Sequence, residues 1–172
     1  MAGPPITIRP VRLEEYGPLG ELTVRVYREV LNSDLEGYSD VLRAVDDRLE
    51  TGCEVLVAVA ASRVVGGVTY VPGPGPYAQM IAADEAELRM LVVDPEVQGQ
   101  GVGAALVHAC VARARAAGKR TLALGTMPAM GAAQRLYARL GFQRAPERHY
   151  EVPGGPCLVS YSMELRSIPA PD

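Results

Sequence analysis

The chain has 172 residues, 48% of them hydrophobic and 22% charged, with a formal net charge of −3. That length suits a single domain spanning residues 1–172 with short flexible ends, able to bury roughly 70% of the surface its unfolded form exposes. The balance excludes a disordered chain, and the small negative charge excludes whole-molecule attraction to nucleic acid or anionic lipid. Three separated cysteines, Cys53, Cys110 and Cys157, make neither a disulfide framework nor a zinc site. His108 and His149 have no ligand spacing to them, so no metal is expected. There is no signal-peptide pattern and no apolar run of bilayer length. The expected address is a reducing cytoplasm, with free thiols and no membrane contact.

The elements read in chain order. Residues 6–9 alternate as a short strand. Leu19, Leu22, Thr23, Val26, Tyr27 and Val30 have helical spacing, and Tyr38, Val41, Leu42, Val45 and Leu49 repeat it before Gly52. Two amphipathic helices are predicted there. Residues 54–59 and 64–71 form a hairpin around the turn Ala61-Ser62-Arg63. The Pro-Gly alternation of residues 72–76 can be neither helix nor central strand. Residues 87–93 are an apolar strand closed by Asp94 and Pro95. A helix comes next, from about Gly101 to Ala117, then a strand over 121–124 and a helix over 132–140 stopped by Gly141. Residues 142–152 and 157–165 fit a closing hairpin around Pro153-Gly154-Gly155-Pro156. The order β-α-α-β-β-β-α-β-α-β-β predicts a mixed α/β (α+β) sheet with helices on its faces.

The most informative stretch joins the apolar strand to the long helix: Gln98-Gly99-Gln100-Gly101-Val102-Gly103-Ala104. Its three glycines let a backbone come close to a ligand. The helix start carries no capping side chain and no first-turn acid, which leaves its amides and positive dipole end to an anion such as a diphosphate. A dinucleotide fingerprint is a poor match, because no acid comes after the next strand to hold a ribose. A P-loop fails as well, since Gly118-Lys119 is followed by Arg120.

The Gln98–Gly103 segment resembles the Q/R-x-x-G-x-G/A signature of the GNAT superfamily of N-acetyltransferases. The preceding Leu88-Arg89-Met90-Leu91-Val92-Val93-Asp94-Pro95 is similar to that family's lead-in strand. Ala132-Ala133-Gln134-Arg135-Leu136-Tyr137-Ala138-Arg139-Leu140-Gly141-Phe142 resembles its helix ending in Leu-Tyr and then Gly-Phe. The resemblance covers nearly the whole chain. It implies a GNAT-like, mostly antiparallel sheet whose strands splay apart to take the pantetheine arm of acetyl-CoA. Leu91, Val92 and Val93 would pair with that arm. Gln98, Gly99, Gln100, Gly101, Val102, Gly103 and Ala104 would hold the diphosphate, and Tyr137 would lie near the thioester sulfur. Two departures stand out: Met130 replaces a frequent asparagine, and residues 122–125 lack the glutamate some members carry.

The residues then suggest a mechanism. Amides around Val92 and Val93 suit a developing oxyanion. Tyr137 suits protonation of the departing thiolate, and Glu87 suits acceptance of the amine's proton, directly or through a water. Asp84, Glu85 and Glu87 together predict an acidic lip favouring a cationic acceptor. Tyr77 and Met80 are candidates to line the acceptor site, while His108, His149 and Cys110 read as structural. The expected activity is direct acetyl transfer from acetyl-CoA, as co-substrate, to an amine of a small molecule, a peptide N-terminus or a lysine. The alternative is an acyl-CoA-binding sensor of the same fold with little transfer. A hydrolase lacks a Ser/His/Asp or Cys/His constellation. Exposed sheet edges allow a homodimer.

Overall fold

In the computed structural model, strands β1 (Ile6–Pro10), β2 (Glu54–Ala60), β3 (Arg63–Val71), β4 (Glu85–Val93), β5 (Thr121–Thr126), β6 (Gln143–Arg144) and β7 (Val159–Glu164) form one open sheet, ordered β1-β2-β3-β4-β5-β7-β6. Every neighbouring pair is antiparallel except β4 with β5. The helices are α1 (Tyr16–Leu31), α2 (Ser39–Arg43), α3 (Val45–Glu50), α4 (Val102–Ala116) and α5 (Gly131–Arg139). The structure describes residues 3–165; the carboxyl end expected to fray, residues 169–171, lies outside the described residues.

Period-two alternation divides the core between the two faces of the sheet. Val55 and Val57 pack with Leu19, Val24 and Leu42 on the α1 side. Leu56 and Ala58 pack with Leu106, Val107 and Cys110 on the α4 side. Strand β4 breaks this rule midway. Ala86 and Leu88 join the α4 side, yet Met90 and Val92 join the α1 side. The reversal occurs at Met90, whose φ of +56° is left-handed, where the β3–β4 register shifts between Gly67 and Thr69. A bulge adds one residue to a strand, bends it and re-aims the side chains beyond it. Around this bulge β4 parts from β5. The two strands pair only through Glu85 with Thr121, Ala86 with Leu122 and Glu87 with Ala123.

Two segments depart from the sequence expectation. The helix predicted across residues 38–49 breaks at Ala44, with ψ +70°. The Arg48 guanidinium turns inward and donates to the Leu42 carbonyl at 2.6 Å, taking up an acceptor near the break. The closing hairpin is also shorter than predicted. Only Gln143 and Arg144 pair with β7, and the chain resumes contact through an isolated bridge between Glu151 and Cys157. Pro146 lacks the N–H a longer ladder needs. Arg148, two residues along, turns inward to an ion pair with Glu85. No helix of the described residues is long and apolar enough to cross a membrane.

Asp94 anchors the exit of β4. Its Oδ1 accepts from the Glu96 amide at 3.0 Å, and its Oδ2 accepts from Arg25 at 3.0 Å and Arg63 at 2.9 Å. The carboxylate therefore ties α1 and the β2–β3 turn to the segment preceding the glycines. Burial alone would raise its pKa, but the Glu96 amide and the two guanidiniums outweigh that and lower it. A lowered carboxylate stabilises the fold above its unfolded pKa, and that contribution is lost as pH falls through the folded value. Asp94→Ala is expected to cost about 2 kcal/mol in urea unfolding, through loss of the turn cap and a buried charge-assisted hydrogen bond. The deficit should shrink at acid pH. An equal deficit at all pH values would contradict the assignment.

Candidate active site

The parting of β4 and β5 opens a cleft of about 240 Å³. Leu88 to Leu91 of β4 form one side, and Gly125, Thr126 and Met127 at the end of β5 form the other. Ala133 and Tyr137 of α5 close it on one face of the sheet, while Tyr27 and Tyr38 reach it from the helical layer on the other. Tyr150, Val152 and Leu158 of the carboxyl-terminal segment complete the wall.

The glycine turn stands at the far end of β4. Gly99 and Gly101 have φ of +79° and +82°, and a Cβ at either would meet nothing within 4 Å. This backbone needs glycine for its conformation, and the space beside it is open. Gly101 begins α4 with no side-chain cap and no acid in the first turn. The first amide to find a helical partner is Ala105, which donates to Gly101 at 3.0 Å. Gly99, Gln100 and Gly101 are exposed, so the turn is not sealed beneath other side chains. An anion approaching it meets a set of backbone donors and the positive end of a fifteen-residue helix. Gly103 differs from the other two. A Cβ there would sit 3.0 Å from Leu136 Cδ2 and 3.5 Å from Val93 Cγ2, so this glycine lets α4 approach α5 and β4 closely.

The structure brings some of the predicted residues together and separates others. Leu91 and Tyr137 line the cleft. Val92 faces the α1-side core, Val93 packs on the α4 side, and the buried Val102 anchors α4 there. Residues 98–104 lie outside the cleft lining. The Tyr137 ring sits edge-on to Phe142 at 5.8 Å and tilted against Tyr161 at 6.0 Å. Burial raises its hydroxyl well above the ordinary tyrosine pKa, so it stays protonated across the working range.

Glu87 is fully buried rather than exposed at a strand end. Its Oε2 accepts from the Gln79 amide at 2.8 Å and from Met80 at 3.4 Å, while its Oε1 has no partner. Burial raises its pKa, partly offset by those amides and by Arg89. Arg89 does not pair with it; instead it donates to the Tyr77 carbonyl at 2.8 Å.

The expected acidic lip does not form. Glu85 is buried against Arg148 and lies 3.3 Å from Arg120, which also binds Asp84 at 2.9 Å. The hydrogen bond from Arg148, first among the causes, lowers the Glu85 pKa. Of the predicted loop residues, Tyr77 borders a neighbouring depression and Met80 packs toward Gly125. Met130 lines the cleft at the position expected to lack an asparagine. Cys110 is fully buried, its thiol pushed up to about 12 by desolvation. His108 is exposed on α4. The fold does assemble one Cys/His pair that the sequence did not suggest, with Cys157 Sγ 3.3 Å from His149 Nδ1; it lies outside the cleft lining. Among the described residues no group of three or more His, Cys, Asp or Glu could hold a metal ion.

Sequence reasoning missed Arg89, Tyr27, Tyr38 and Tyr150 as cleft residues. The two helical tyrosines carry a core-like period and gave no separate signal. Arg89 did carry one, as the lone cation inside an apolar strand.

A model of the acetyltransferase (GNAT) family matches residues 22–142, well over half of the chain. Among curated proteins no relative matches. An acetyltransferase of the GNAT family from Staphylococcus aureus Mu50 matches with a TM-score of 0.74 at 17% identity, over 94% of this chain and 100% of that one. A GNAT family acetyltransferase from Brucella melitensis, solved in complex with acetyl-CoA, gives 0.66 at 22% identity, over 98% and 94%. The ribosomal-protein-S18-alanine N-acetyltransferase of Escherichia coli gives 0.69 at 18% identity, over 95% and 96%. The likenesses extend across the open mixed sheet and the helices on both of its faces. With its glycine turn, its parted strands and Tyr137 all inside the matched span, the chain belongs to the acetyltransferase (GNAT) family.

Proposed function

We propose that this chain is an acetyl-CoA-dependent N-acetyltransferase, a single catalytic domain that moves acetyl directly to a primary amine while both substrates are bound. One observation carries the reading: a sheet parted at β4 and β5 joins an exposed glycine turn and an uncapped helix start to a cleft lined by Tyr137. The residues present fit the cofactor, because the open space beside Gly99 and Gly101 lets a diphosphate reach the backbone. Gln98 to Ala104 would hold that diphosphate, and Leu91 to Val93 would offer the pantetheine arm the strand edge that β5 leaves free. When bound, acetyl-CoA supplies an acyl group activated as a thioester.

The chain's own groups supply the rest. Of the two amides expected to serve the oxygen that gains charge, those of Val92 and Val93, the Val93 amide is the proposed donor, because it alternates with the Asp94 amide that donates to β3 and so faces the parted edge. Tyr137, held protonated by burial, donates to the leaving sulfur. Glu87 is the proposed base, reached from the cleft through a water. Its unpartnered Oε1 and raised pKa suit a group that accepts a proton. No cysteine lines the cleft among the described residues, which favours direct transfer over an acyl-enzyme.

Free thiol released from acetyl-CoA across a panel of primary amines tests the reading. Release that saturates with both substrates supports it. Tight acetyl-CoA binding with no productive amine would instead make the chain a sensor. The pH profile tests Glu87. A base acts when deprotonated, so kcat/KM should fall as pH drops through an apparent pKa above the ordinary glutamate value of about 4.3. Glu87→Gln should remove that acid limb and slow transfer on the order of 100-fold. The stability effect has the opposite sense: with a raised folded pKa, stability is lost as pH rises through it. An acid limb that survives in Glu87→Gln would assign the base elsewhere.

A further inference from the structure

Among the described residues, Arg89 is the one charged side chain lining the cleft. It meets no carboxylate there. One Nη donates to the Tyr77 carbonyl at 2.8 Å, and the guanidinium lies 5.6 Å from the centre of the Tyr77 ring. Those two contacts fix its plane and leave the edge formed by Nε and the other Nη without an acceptor among the described residues. That edge matches a carboxylate through two parallel hydrogen bonds.

A second arginine reinforces the field. Arg48 is 1% exposed and donates to the Leu42 carbonyl and to Thr69 Oγ1 at 3.2 Å. Its Nε has no partner, and it forms no ion pair among the described residues. Burying a charge without an opposite one is costly, and burial lowers the Arg48 pKa accordingly. Both arginines act electrostatically on Tyr27 and Tyr77. Glu85 is engaged by Arg148 and Arg120, and Asp84 by Arg120. Glu87 feels the Arg89 charge but makes no ion pair with it, and its carboxylate sits under the Gln79 and Met80 amides, outside the cleft lining. The rest of this wall, including Tyr27, Tyr38, Met90 and Met130, carries no carboxylate to pair with a second ammonium group.

We infer that the acceptor is an amine that also bears a carboxylate, an amino acid with an uncharged side chain, and that Arg89 holds the carboxylate. The bulge at Met90 makes the two-part recognition possible. Arg89 precedes the reversal and Leu91 comes after it, so the anion subsite and the strand edge proposed for the pantetheine arm adjoin within one cleft. This assignment rests on the transferase reading above and specifies its acceptor. It replaces the cationic acceptor that the acid-rich sequence before β4 suggested.

The test compares methionine and leucine with their carboxamides, with their decarboxylated amines and with spermidine, by thiol release from acetyl-CoA. The amino acids should exceed the other compounds at least tenfold in kcat/KM. Arg89→Met should raise KM for the amino acids at least tenfold and erase the preference, and Arg89→Lys should retain part of it. The same compounds, titrated calorimetrically into wild-type protein saturated with coenzyme A, should rank alike. Equal turnover of acids and amides, or faster turnover of spermidine, overturns the carboxylate subsite and leaves transfer intact. Amino acids that bind with the predicted rank but release no thiol remove the transferase reading and leave the subsite standing. Amino acids that neither bind nor react overturn the inference. The wild-type comparisons decide the matter even where a variant does not fold.

Discussion

Gly101→Val is expected to weaken acetyl-CoA binding on the order of 100-fold, equivalent to about 2.8 kcal/mol, while the protein stays folded. Gly101 holds φ at +82°, a region that costs a side-chain-bearing residue about 1–2 kcal/mol. A Cβ there would touch no protein atom within 4 Å. The added side chain therefore does not disturb the core; it projects into the open space beside the turn, where the diphosphate is proposed to lie. Strain and obstruction act together on the anion site. Gly103→Ala makes an informative contrast, because its Cβ would press on Leu136 Cδ2 at 3.0 Å and load the α4–α5 contact. Its effect should appear in the melting temperature before it appears in affinity. Calorimetric titration with acetyl-CoA, paired with thermal unfolding, separates the two. Unchanged affinity in Gly101→Val would remove the diphosphate assignment.

Tyr137→Phe is expected to lower kcat on the order of 100-fold, at the lower end of what a general acid contributes, with acetyl-CoA affinity changed little. The aromatic packing on Phe142 and Tyr161 survives the substitution, since only the hydroxyl is removed. No protein group among the described residues hydrogen-bonds that hydroxyl, so its loss orphans no buried partner. Stability should stay within about 0.5 kcal/mol of wild type, or rise. A core-packing role predicts the reverse: full activity in Tyr137→Phe and damage only in Tyr137→Ala. Stopped-flow thiol release under acetyl-CoA saturation measures the chemical step and distinguishes them.

The legible features were those written within a few neighbouring residues. The strands β1 to β5 and helices α1, α4 and α5 emerge from alternation and 3.6-residue spacing. The exposed turn proposed for the diphosphate emerges from glycines beside an uncapped helix start. These signals are local because hydrogen-bonding geometry and left-handed φ are set by the residue and its immediate neighbours. The family resemblance added the role proposed for Tyr137, which periodicity alone reads as core.

Local pattern does not contain the pairing of distant groups. Nothing in Leu88-Arg89-Met90-Leu91 announces that Met90 adopts φ +56°, because a methionine gives no preference for it; the register against Gly67 and Thr69 imposes it. The acid-rich run of Asp84, Glu85 and Glu87 reads as a solvated lip until Arg148, sixty-three residues after Glu85, closes on that carboxylate. The break at Ala44 likewise accompanies the inward turn of Arg48, which needs the sheet beneath it to bury a guanidinium.

From the chain alone, then, one could establish a glycine turn leading into an uncapped helix, on a mixed sheet with helices on both faces. The assembled fold decided the charge of the cleft beside that turn. Charge at a site is a sum over side chains brought close by long-range packing, and it cannot be summed until those neighbours are known.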